Sequence, residues 1–161
     1  MAITILGISP GTRSIGIAVF SGSELIEWQV KSFKIRWSKE KLNLILKCID
    51  SLCEYFKIEA IAIKEPNPLQ TTDHTTLLMQ SITALVRAKR LKLYRYGIAD
   101  LKKHANSNLM QKKDDILEIM TEKYPMLRRE YLKERNSVRP YHVKMFEAIA
   151  AAQMLSSKLE W

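Results

Sequence analysis

Apolar residues recur along the chain with two different periods, and the switch between them separates strands from helices. Ala2 to Ile8 is rich in isoleucine with few polar positions, the pattern of a central strand buried on both faces. Pro10-Gly11 supplies a turn, and Ile15 to Phe20 predicts a second strand returning beside the first. After a turn at Ser21-Gly22-Ser23, Leu25, Glu27, Gln29 and Lys31 alternate with Ile26, Trp28 and Val30. This partial alternation predicts an antiparallel edge strand reaching Phe33.

Helical spacing takes over after Ser38, a candidate N-cap: Leu42, Ile45, Leu46, Ile49, Leu52 and Phe56 share one side up to about Lys57. Glu59 to Lys64 reads as a short fourth strand ending at Glu65-Pro66, and a helix then runs from Thr72 or Asp73 to about Lys89. Leu91 to Tyr96 gives a fifth strand. Helices are expected over Ala99 to Ala105, Lys112 to Lys123 and Tyr141 to Leu159, with a loop at Asn106-Ser107-Asn108 and a stop at Pro125. The order βββαβαβααα predicts an α/β architecture, a mixed five-stranded sheet of three antiparallel strands and then two parallel ones, flanked by helices. That is the order of the ribonuclease H-like fold. No linker or internal repeat interrupts it, so one domain over residues 1–161 is expected.

Charge points to the partner. The 161 residues hold 26 Lys+Arg against 17 Asp+Glu, a formal net charge of +9 that suits a polyanion. Arg87 to Arg95 carries five bases and no acid, and Lys31, Lys34, Arg36, Lys39 and Lys41 form a second group broken only by Glu40. Arg13, Arg87, Lys89, Arg90, Lys112 and Lys113 are the candidate nucleic-acid contacts. No apolar run suits a membrane span or a signal peptide, so a cytoplasmic, unexported protein is expected. Cys48 and Cys53, five apart in a predicted helix, project from different faces and are expected as free thiols.

Four segments together resemble the RuvC family of Holliday-junction resolvases over nearly the whole chain. They are Leu6-Gly7-Ile8-Ser9-Pro10-Gly11-Thr12-Arg13 with Gly16 and Val19, Ile61-Ala62-Ile63-Lys64-Glu65, Tyr96 to Lys102 ahead of Lys112-Lys113, and Glu147 to Ala152. The first segment alone also suits the small nuclease-like family called YqgF; the acidic end of the fourth strand favours RuvC. The resemblance implies carboxylates from the first strand, the fourth strand and the last helix clamping two divalent ions, which sit roughly 3.5–4 Å apart in such sites. It makes Glu65 the second acid, Glu147 the last acid, and Lys113 a basic residue near the scissile phosphate.

Two positions depart from the pattern. Ser9 stands where the first aspartate belongs, and Lys144 stands one helical turn before Glu147, where the family has Asp or His. A neutral hydroxyl is a weak ligand, and an ammonium has no lone pair to give. No metal is therefore expected, with Glu65 and Glu147 as the remaining ligands and Mg2+ or Mn2+ as the ion of an active form. Lys144 is expected to form a salt bridge with Glu65 and Glu147 where the ions would be. The function this implies is a catalytically impaired RuvC-like protein that binds branched DNA, as a homodimer by the same resemblance. The alternatives are an active metal-dependent endonuclease with a rearranged site and a non-catalytic scaffold subunit.

Overall fold

A computed structural model describes residues 2–107, 109–138 and 140–159; Asn108 of the expected loop lies outside them. A five-stranded sheet has the order β3-β2-β1-β4-β5. Its strands are β1 (Thr4–Ser9), β2 (Ser14–Ser21), β3 (Glu24–Ser32), β4 (Ala60–Lys64) and β5 (Lys92–Tyr96). The first three pair antiparallel, while β4 lies parallel to β1 and β5 parallel to β4. The helices are α1 (Lys39–Phe56), α2 (Asp73–Ala88), α3 (Ile98–Asn106), α4 (Ile116–Lys123), α5 (Arg128–Arg135) and α6 (Val143–Leu159). The expected mixed sheet and its flanking helices are thus present.

Side-chain alternation divides the core into two layers. Leu6 and Ile8 of β1, Ile15, Ile17 and Val19 of β2, and Ile61 and Ile63 of β4 pack against α1 and α2. Ile5, Ala18, Phe20, Ala60 and Ala62 face the opposite way, against α6, α3 and α4. Ser38 caps α1 by accepting a hydrogen bond from the Lys41 amide at 3.1 Å, and Thr72 caps α2 through Thr75. Cys48 and Cys53 are unbridged, and burial pushes the Cys53 thiol up to about 11.

The region after α3 differs most from expectation. The helix expected from Lys112 begins at Ile116, because Asp115 caps it by accepting from the Leu117 amide at 2.9 Å. The additional helix α5 lacks an apolar stripe, and ion pairs from Arg135 to Asp115 and Glu118 tie it to α4.

Close backbone approach seats α6 on the sheet. A Cβ on Gly7 would lie 2.2 Å from the Ala148 carbonyl oxygen, and one on Gly16 would lie 2.0 Å from that of Lys144. Only glycine admits the helix this near. Gly16→Ala is expected to cost about 3 kcal/mol, because backbone rather than a flexible side chain must move, and thermal denaturation would show the loss.

Candidate functional site

β1 ends where α6 begins to cross it, and this junction collects the charged groups. Ser9, wholly buried, faces α6 and donates its hydroxyl hydrogen to Glu147 Oε1 at 2.8 Å. The other carboxylate oxygen, Oε2, lies 3.3 Å from the Lys64 ammonium, with both side chains mostly buried. Both oxygens of Glu147 are therefore engaged by protein groups. Lys144, one turn earlier on α6, donates to the Pro10 carbonyl at 3.4 Å and makes no ion pair within 4.0 Å among the described residues. Its side chain crosses the turn at Gly11, where a Cβ would meet Lys144 Cε at 2.5 Å. Burial pushes the Lys144 pKa down and the neighbouring Lys64 charge adds to this, while Glu147 opposes both.

The geometry corrects the expected salt bridge. Its cation is Lys64 rather than Lys144, and Glu65 does not join it. On β4 the alternation places Ala60, Ala62 and Lys64 toward α6, whereas Ile61 and Ile63 face α1 and α2. Glu65 continues the second set. It lines a cavity of about 500 Å³ with Thr75, Met79, Thr83 and Arg87 of α2, and its carboxylate has no hydrogen bond or ion pair among the described residues. Two adjacent residues thus exchange roles because they sit on opposite faces. Lys64 carried no signal of its own, but counting by twos from the small residues Ala60 and Ala62 singles it out.

The other expected site residues are dispersed. Lys113 precedes α4 rather than opening it. It pairs with Glu122 at 2.9 Å, its backbone is held by Asn106, and the Glu122 hydrogen bond raises its pKa. Lys112 donates to the Asn106 carbonyl at 2.6 Å. Lys89 lies 2.5 Å from both Asp50 and Glu54, whose hydrogen bonds raise its pKa, so its charge is already compensated. Arg87 and Arg90 line one shallow cavity with Lys92 and Arg95, where no acid intervenes.

Arg13 lies elsewhere, in a groove of about 980 Å³ that sequence reasoning did not assemble. The β1–β2 turn, the Ser32–Trp37 segment and the start of α6 enclose it. Its charged lining is Arg13, Lys34, Arg36, Lys41 and Lys144, with no carboxylate. Lys144 belongs both to this groove and to the Ser9–Glu147 junction.

A pair of divalent ions does not fit the junction. The donor set is one doubly engaged carboxylate and one hydroxyl between two ammonium groups, the inverse of the anionic oxygen cage that Mg2+ or Mn2+ requires. Among the described residues no three His, Cys, Asp or Glu side chains are grouped to hold a metal.

Solved structures match this arrangement of strands and helices over almost the full chain. Thermus thermophilus RuvC in complex with a Holliday junction substrate aligns over 94% of this chain and 91% of its own, with a TM-score of 0.66 and 19% identity. The fold is that of RuvC. The yeast mitochondrial Holliday junction resolvase Ydc2 also aligns, over 96% of this chain and 78% of its own, with a TM-score of 0.68 and 16% identity. No protein-family model and no curated protein sequence matches the chain. This RuvC-like fold carries, where β1 meets α6, a carboxylate held by Lys64 and Ser9 with Lys144 one helical turn away. Among the described residues no helix is long and apolar enough to cross a membrane.

Proposed function

We propose that this RuvC-like protein binds branched nucleic acid, four-way DNA junctions foremost, without metal-dependent cleavage. The observation that carries the reading is the engagement of Glu147 by Lys64 and Ser9. The Glu147 carboxylate at the β1–α6 junction is neutralised by the Lys64 ammonium on one oxygen and hydrogen-bonded by the Ser9 hydroxyl on the other. Phosphate contacts by Lys and Arg need no ion, so binding survives the loss of a metal cage. The net charge of +9 and the carboxylate-free groove beside the junction supply those contacts. A resolvase solved with a Holliday junction on the same fold supports the choice of ligand.

Gel-shift and cleavage assays on labelled four-way junction, duplex and single strand test the reading. Binding is expected to be the same in chelator and in manganese, to weaken steeply with salt, and to leave the DNA intact. Manganese-dependent cutting that Glu147→Gln abolishes would overturn it in favour of an active nuclease. Absence of binding to any of the three would leave the scaffold reading.

A further inference from the structure

We propose that the groove between the β1–β2 turn, the Ser32–Trp37 segment and α6 seats an unpaired nucleic-acid strand, its phosphates on Lys41 and Lys144 and its bases against Trp37 and Tyr141. The proposal rests on the nucleic-acid reading above and names the kind of strand this groove accepts.

Three observations carry it. The first is free charge. Lys89, Lys102, Lys113 and Arg135 are paired with carboxylates, whereas Arg13, Lys34, Arg36 and Lys41 make no ion pair among the described residues. The second is Lys41. It is only 5% exposed, it lines the groove, and its ammonium has no hydrogen-bond partner among the described residues. The stem of Lys41 is packed away while its ammonium opens on the groove, where an entering phosphate would supply the counter-charge it lacks.

The third observation separates an unpaired strand from a duplex. Phe33, Ile35, Trp37 and Tyr141 line the same groove, and Ile35 and Tyr141 are 42% and 51% exposed. A duplex presents its phosphates and hides its base faces, so it would leave this apolar lining in water. An unpaired strand offers both phosphate and π-face. The indole of Trp37 is held in place by the His74 ring, stacked at 4.9 Å between centroids with planes 21° apart. A fixed ring loses little freedom when a base stacks on it. Lys144 also links the groove to the β1–α6 junction.

Fluorescence anisotropy with the full chain tests this, using a four-way junction, a blunt duplex and the same duplex carrying an oligothymidylate tail. The tailed duplex is expected to bind more tightly than the blunt one. Trp37→Leu should weaken the tailed complex about tenfold and the blunt one much less, with Trp37→Phe restoring most of the loss. Lys41→Met should lower the salt slope on the tailed substrate by about 0.7, and Arg36→Ala, at an exposed position, repeats that test where folding is not at risk.

No gain from the tail would overturn the proposal. So would equal weakening of both duplexes by Trp37→Leu, or displacement of the tail by polyglutamate as effectively as by oligothymidylate, which would indicate an acidic protein instead. Junction binding that persists through any of these results removes the groove assignment and leaves the nucleic-acid reading standing. Absence of binding to all three DNAs removes both.

Discussion

Glu147→Ala is expected to destabilise the protein by about 4 kcal/mol, the scale for removing one partner of a mostly buried ion pair. Three groups lose their counterpart at once. The Lys64 ammonium loses its carboxylate, the wholly buried Ser9 hydroxyl loses its acceptor, and Lys144 loses the one nearby charge that offsets its burial. The two lysines then face each other across a junction that α6 holds shut. Denaturant titration measures the loss, and the double variant Glu147→Ala with Lys64→Met separates its causes. If the unpaired ammonium of Lys64 is the main penalty, the second substitution recovers more than half of the stability. A single-variant loss below about 1 kcal/mol, the range of exposed pairs, would show that the junction is solvated and that Glu147 is no anchor.

The elements were legible wherever burial imposed a period. β1 and β4 are buried on both faces and read as apolar runs, and α1 and α2 bury one side and read as stripes. α5 buries no residue fully, so no stripe announced it. The site was legible by position along the chain but not by face. At one end of the sheet Ser9 bonds to Glu147, and Lys144, one turn earlier on the same helix, reaches the Pro10 carbonyl beside Ser9. The resemblance put the fourth strand's acid at Glu65, yet a shift of one residue moves a side chain through the sheet, and the residue facing Glu147 is Lys64. The pairing of the basic runs was not legible for a related reason: a count of charges along a segment omits the carboxylates that folding brings from elsewhere. Asp50 and Glu54 on α1 reach Lys89, while the ammonium of Lys41, in the other run, has no partner among the described residues and opens on the groove.

Because Lys64 rather than Glu65 faces the junction, building a metal site there takes three substitutions. Ser9→Asp, Lys64→Glu and Lys144→Asp, with Glu147 kept, replace a hydroxyl and two ammoniums by carboxylates and leave four acidic side chains around one space. Like charges so arranged repel in the absence of a cation, so the triple variant is expected to melt well below the native protein in chelator. Manganese should reverse this by binding only the folded form, and the recovery in melting temperature should grow with its concentration. Titration calorimetry is expected to give a dissociation constant near micromolar, about 8 kcal/mol of binding energy. The double variant Ser9→Asp with Lys144→Asp tests the part played by β4: with Lys64 still 3.3 Å from Glu147, it should bind at least tenfold more weakly than the triple. Equal affinities would show that Lys64 swings clear of the site. An absence of manganese binding in the triple variant would mean that these four positions do not converge on one ion, and that the lysines are structural cations unconnected with a vanished metal centre.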